Sequence, residues 1–200
     1  MARLSRQLGN GTESVTLLQT ALETAQTLGD RLSEANALNL LGQNHRDQSD
    51  PSAATESFQQ ALMLYQSLGN RRGEVSALAN LGQTAEQDGD LGQALDWFQQ
   101  ALPLAETIGD RATIAKLFSA LGRLEREQGN VDEAIDHYQE AVAVRDAMLR
   151  RLSSLSPTQQ TVFIEKVSPD YYALADLLRT RDRHAEAEAV LEKLHDHSPQ

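Results

Sequence analysis

The 200-residue chain contains no cysteine, which removes disulfides, thiolate metal sites and cysteine nucleophiles together. A reducing compartment fits that absence. Aromatic residues make up only 4%, too few for one dense core in a chain of this length, so a thin, elongated core is expected. Bases are also scarce: 18 Lys and Arg stand against 29 acids, for a net charge of −11. Such a chain has little with which to displace the counterions of duplex DNA or to hold an anionic membrane surface, so neither nucleic acid nor membrane is an expected partner. Long apolar runs are missing. The opening MARLSRQLGNGTES has no signal-peptide core, and no stretch approaches the roughly 18 apolar residues that signal a membrane span. The expected location is the cytoplasm, for a free protein or for a piece of a larger one.

What the sequence does have is a period of forty. Leu40 to Leu62 reads LLGQNHRDQSDPSAATESFQQAL, Asn80 to Leu102 reads NLGQTAEQDGDLGQALDWFQQAL, and Ala120 to Val142 reads ALGRLEREQGNVDEAIDHYQEAV. Leu41, Leu81 and Leu121 are each followed by glycine, and nine residues after each leucine comes a helix-capping Asp50, Asp90 or Asn130. Asn10 extends the cap series backwards. Four residues past each cap stands Ala54, Ala94 or Ala134, then Phe58, Phe98 or Tyr138, then Ala61, Ala101 or Ala141. A second turn series, LGDR at 28–31, LGNR at 68–71 and IGDR at 108–111, splits each unit into two helices, because glycine closes one helix and Asp or Asn caps the next. Helices are expected at 12–28, 32–47, 52–68, 72–88, 91–108, 112–128 and 131–152. Apolar residues recur at three and four, as at Leu95, Phe98, Leu102 and Leu104 to Ala105, so each helix has one face to bury and must stack on neighbours to bury it. Gly82 is expected at a close helix crossing opposite Ala94 and Ala101. Register is lost after residue 150. Two further helices are expected at 157–181 and 184–196, the first kinked or interrupted by Pro169. They form a degenerate hairpin in which Tyr171, Leu174, Ala175 and Leu178 face Ala187, Leu191 and Leu194.

The leucine–glycine, alanine, aromatic, alanine series resembles the tetratricopeptide repeat over about residues 1 to 147. The usual unit of that family is about 34 residues; the forty-residue units here are similar to those of kinesin light chains, Pins-type adaptors and bacterial arrays. The tyrosine usual three residues after the glycine is replaced by His45, Ala85 or Glu125. The resemblance implies an all-α, right-handed superhelical solenoid of antiparallel helical hairpins. Residues 1–150 would carry a partial first repeat and three full ones, and 151–200 a capping or linker segment. The tail also resembles the segment that precedes a CHAT peptidase domain, which implies an alternative role as a regulatory or oligomerising arm of a larger protein.

Chemistry is harder to find. There is no phosphate-cradling loop, zinc-type spacing or nucleophile elbow. His195 and His197 form the only histidine cluster, at a solvated tail. No enzyme activity, cofactor or metal is expected. Trp97 is expected to be partly buried beside the packing stripe.

By the resemblance, the first helix of each hairpin lines a concave groove for a protein or peptide. The groove residues are then Asn36, Asn39, Gln43 and Arg46; Ser76, Ala79, Asn80, Gln83 and Glu86; and Lys116, Ser119, Arg123, Arg126 and Glu127. The third set gathers positive charge in an acidic chain, which suits an acidic partner. Asn80 stands where such arrays hold a ligand's main chain, for which an amide offers donor and acceptor together. Lys116 is placed like the basic residue that grips a terminal carboxylate in chaperone-tail binders. Asn39, Gln43 and Ala120 replace the lysine, asparagine and arginine that such a clamp needs, so a chaperone-tail specificity is not expected. The first hairpin lacks its first half, leaving Val15, Leu18 and Leu22 underprotected. An open end of that kind favours a homo-oligomer.

Overall fold

A computed structural model describes the backbone of residues 2–150 and 156–196, with side chains for 14–150, 156 and 158–196. Every regular element in that range is an α-helix: α1 Ala2–Leu28, α2 Arg31–Asp47, α3 Pro51–Ser67, α4 Arg71–Asp88, α5 Leu91–Ile108, α6 Arg111–Gln128, α7 Val131–Leu149, α8 Pro157–Thr180 and α9 His184–Asp196. From α2 onward the boundaries fall within a few residues of those read from the turn series. At the first helix they do not: α1 begins at Ala2, and Asn10 lies inside it rather than capping it.

The helix starts obey the capping rule. Asp30, Asp50, Asn70 and Asp110 accept the backbone N–H of Ser33, Ala53, Gly73 and Thr113, and Asp90 accepts that of Gln93, which satisfies donors a helix cannot pair internally. Asn130 departs from the rule. It makes no side-chain cap and turns its amide onto Glu125 Oε2 at 2.7 Å. The first helices of the hairpins end on a left-handed residue, Gly89 or Gly129, with Ser49 (φ 61°) and Asp182 (φ 57°) at the matching places. Pro169 does not interrupt α8. Proline leaves the carbonyl four residues back without its N–H, and the Ser168 hydroxyl donates to that Glu165 carbonyl instead, at 3.1 Å.

The chain divides after Ile108 into two compact units. In the first, α2–α3 and α4–α5 are antiparallel hairpins, with α1 packed on α2 and α3 on α4. In the second, α6–α7 and α8–α9 are hairpins joined through α7 and α8. Inside each full repeat the core is an aromatic ring seated on a glycine. A Cβ added to Gly42 would lie 2.6 Å from the Phe58 ring, one on Gly82 2.6 Å from Phe98, and one on Gly122 2.9 Å from Tyr138. The nearest neighbours of Gly82 are thus the Phe98 ring atoms, not the alanines Ala94 and Ala101, which are buried. In the last hairpin Ala175 and Leu191 occupy the corresponding places: the small partner grows by one carbon and the large one shrinks. Tyr171, Leu174, Ala175 and Leu178 share one core with Ala187, Leu191 and Leu194, as the sequence suggested.

At the amino-terminal end Val15, Leu18 and Leu22 are half-buried. The exposed apolar side chains there are Leu17, Leu28, Leu32 and Leu40. Trp97 is half-buried.

Candidate functional site

In the first unit α2 and α4 lie side by side, and the groove positions on their shared face are joined in a chain of polar contacts. Asn39 Nδ2 lies 3.5 Å from Ser76 Oγ, and Asn80 Nδ2 donates to Asn39 Oδ1 at 3.1 Å. Arg46 Nη1 donates to Asn80 Oδ1 at 3.1 Å and to Gln83 Oε1 at 2.9 Å. Helical spacing explains the row, since positions three and four apart share a face. Asn80 is only 7% exposed, and both ends of its amide are already engaged. Asn36 Oδ1 accepts the Tyr65 hydroxyl at 2.8 Å. Gln43, Ser76, Ala79 and Glu86 are half-buried, and Gln83 is exposed. Arg46 also sits over the buried Phe58 ring, 5.7 Å from its centroid, within the reach of a cation–π contact. Its burial pulls the guanidinium pKa below the usual arginine value. Beside it opens a cleft of about 720 Å³ lined by Arg46, Asp47, Ser49, Pro51, Gln87 and Asp88.

In the second unit α6 presents Lys116, Arg123 and Arg126, all exposed, with Glu127 beyond them. Ser119 is drawn inward. Its hydroxyl lies 2.6 Å from Asp170 Oδ2 and accepts from Arg145 Nη2 at 2.7 Å, and Arg145 pairs directly with Asp170. A second polar link follows at Tyr171, whose hydroxyl donates to Asp146; the other Asp146 oxygen is 4.0 Å from Lys193. Burial, with the adjacent Asp146 carboxylate, pushes the Tyr171 phenol pKa well up. Asp146 and Asp170 are both buried, and buried carboxylates persist where donors or cations meet them. The forty-residue register could not announce Asp170, Tyr171 or Lys193, because α8 and α9 lie outside it; among these only Tyr171 carried a signal, as an apolar-face residue. Tyr172, by contrast, is 51% exposed on α8, at the place that corresponds to Ser119 on α6.

His195 is exposed and His197 lies outside the described residues. Among the described residues no group of three or more His, Cys, Asp or Glu is placed to hold a metal ion, and no helix is long and apolar enough to cross a membrane.

Comparison with known proteins agrees with this architecture. The tetratricopeptide repeat profile matches residues 1–67, 54–107 and 73–147, and a second tetratricopeptide repeat profile matches 171–193. The chain belongs to the tetratricopeptide repeat family. BtubC (BKLC) from P. vanneervenii superimposes with a TM-score of 0.77 at 20% identity, over 98% of this chain and 76% of that one. A kinesin light chain from Podosopora anserina with nearly identical repeats gives 0.67 at 17% identity, over 98% and 90%. The tetratricopeptide-sensor STAND ATPase PH0952 from Pyrococcus horikoshii gives 0.71 at 17%, over 92% of this chain and 27% of that one. No curated protein matches. At these identities the neighbours establish the fold, and tetratricopeptide folds serve in general as protein-interaction scaffolds.

Proposed function

We propose that this tetratricopeptide chain is a scaffold that takes an extended or helical acidic segment of a partner protein on the exposed face of α6, the first helix of its hairpin. The observation that carries this reading is the row Lys116, Arg123 and Arg126, exposed along one side of α6 in a chain of net charge −11. Like charges gathered on one face raise the local potential and attract segments of opposite sign. In the first unit Gln43 and Ser76 offer amide and hydroxyl groups on the corresponding face, while Asn36, Asn39 and Asn80 keep that face in shape. No catalytic step is assigned to any residue.

The test is affinity capture from a native extract. The unaltered chain is compared with a variant carrying Glu at 116, 123 and 126, each at about 50 and 200 mM salt, a range over which screening of exposed charges changes strongly. The reading expects partners that elute with salt and are lost with the charge reversal. Partners retained equally by both proteins would show that the α6 face is not the binding surface.

A second reading is favoured by the likeness to PH0952, where the matching part is a fraction of a longer chain: the array acts as an arm on another domain of the same polypeptide. Sequencing the transcript on both sides of the codons for Met1 and Gln200 decides it: an open reading frame that continues in either direction supports the arm, and one that closes at both ends overturns it.

A further inference from the structure

One side of α1 is open where the forty-residue register calls for a covering helix. Shifted by forty, Leu18 is the counterpart of Phe58, Phe98 and Tyr138, and Ala21 of Ala61, Ala101 and Ala141. In each full repeat the first helix of the hairpin packs there, its glycine seating the ring, and the three alanines are 0% exposed. On α1 the packed neighbour is α2, which leaves Ala21 exposed, Leu17 66% exposed and Leu28 76% exposed. Residues three, four and seven apart share a helix face, so Ser14, Leu17, Leu18, Ala21, Thr24 and Leu28 form one strip. Its polar groups are already engaged. The Thr24 hydroxyl donates to the Thr20 carbonyl of its own helix at 2.8 Å, and Ser14 Oγ accepts from Asn44 Nδ2 at 3.2 Å. The strip is also uncharged. Between residues 14 and 28 the one charged side chain is Glu23, which stands two residues from Ala21 and so faces away from it.

We infer that this strip is a self-recognition surface: two copies of the chain pair through α1, antiparallel about a twofold axis at Ala21. Charge selects the occupant. Two chains of net charge −11 repel over most of their surface, and an uncharged strip is where they approach without that cost. The spacing is self-complementary. With Ala21 on the axis, Leu18 meets Thr24 of the second copy and Leu28 meets its Ser14, so a large side chain faces a small one at each step and the paired alanines allow close approach. The antiparallel sense is that of the hairpin helices whose place the second copy takes. A twofold contact of this kind closes on itself. Open head-to-tail stacking would need a matching apolar face on the last helix, and α9 instead exposes Glu186, Glu188, Glu192 and Asp196. The inference does not rest on the α6 face, whose charge reversal leaves α1 untouched.

Sedimentation velocity of the 200-residue chain should show a concentration-dependent dimer and no larger species. Ala21→Glu brings two like charges together at the axis and should weaken dimerisation by about a hundredfold. Because Ala21 is exposed, the helical circular dichroism of that variant should match the unaltered chain. The chain has no cysteine, so one introduced thiol reports the geometry. Ala21→Cys should oxidise to a covalent dimer, since helices packed at an alanine bring the two Cα atoms within the roughly 7 Å that a disulfide spans; Glu23→Cys, on the opposite side, should cross-link far more slowly. A monomer at about 100 μM, a hundredfold above a micromolar dissociation constant, would overturn the inference. So would growth beyond a dimer, a dimer indifferent to Ala21→Glu, or equal cross-linking rates at positions 21 and 23. The chain as its transcript encodes it is run alongside: if residues preceding Met1 abolish the dimer, the strip belongs to them and the second copy is ruled out.

Discussion

Replacing Gly82 by alanine sets two effects of opposite sign against each other. Helix propensity favours alanine by about 1 kcal/mol in a helix interior, and Gly82 lies well inside α4. Packing opposes it. The new Cβ would stand 2.6 Å from Phe98 Cε1 and 2.8 Å from Cδ1 and Cζ, whereas carbon atoms rest at about 3.5–4.0 Å. The ring must therefore retreat by about 1 Å, yet it is 2% exposed and interiors hold little spare volume. Overpacking of this kind costs about 1–3 kcal/mol, and a confined ring belongs at the upper end, so Gly82→Ala should destabilise by a net of about 1–2 kcal/mol. The sign should reverse once the ring is trimmed: in a Phe98→Leu background only the propensity gain remains. The last hairpin already carries that combination, with Ala175 and Leu191. Urea midpoints of the four proteins, read by helical circular dichroism, give the coupling energy of the cycle. A wild-type background in which Gly82→Ala raises the midpoint, or an effect equal in both backgrounds, would refute the reasoning.

Three further outcomes follow from local geometry. Ser49 holds φ at 61° where Gly89 and Gly129 stand in the next two repeats; Ser49→Gly should raise stability by about 1 kcal/mol, measured as a higher urea midpoint, because a left-handed conformation strains any side chain with a Cβ. Tyr171→Phe removes the donor to buried Asp146 and should cost about 1–3 kcal/mol on the same assay, whereas a loss near zero would mean the pair contributes shape alone. Asp30 has its pKa lowered chiefly by the Ser33 hydroxyl and backbone N–H. A depressed folded-state value means its contribution is present above the ordinary carboxylate range and is lost as pH falls through the lowered value, so Asp30→Asn should flatten the acid limb of a melting-temperature profile by lowering the neutral region while leaving the acid end near wild type. An acid limb of unchanged slope would show that the cap is not the titrating contribution.

Much of this was legible in the chain itself, and the reasons are specific. Leu81-Gly82, Asp90, Ala94 and Phe98 recur at forty because every hairpin solves the same packing problem, so a local rule about caps and faces repeats until it stands out. The first helix escaped the rule. Asn10 read as a cap ahead of a helix at 12–28, yet α1 runs through it, so continuation of the helix outweighed the local signal there. Pro169 does not interrupt α8 for a related reason: whether a proline breaks a helix depends on what takes the orphaned carbonyl, and Ser168 does so from the adjacent position. The groove was legible as a face but not as a set of contacts. Asn80 is on the expected side of α4, and its partners, Asn39 and Arg46, are thirty-four to forty-one residues away in sequence.

By itself the sequence determined the all-helical hairpins, most of their caps, the glycine positions and the family, because each depends on spacing within one or two turns or on a period that copies itself. Only the tertiary structure decided what each of those residues faces. It set Phe98 rather than an alanine against Gly82, tied Asn80 into a chain with Arg46, and paired Arg145 with the buried Asp170. The physical reason is that capping and amphipathicity are properties of neighbouring residues along one helix, whereas steric fit and charge compensation are settled between helices. The chain alone carries no record of which side chains meet there.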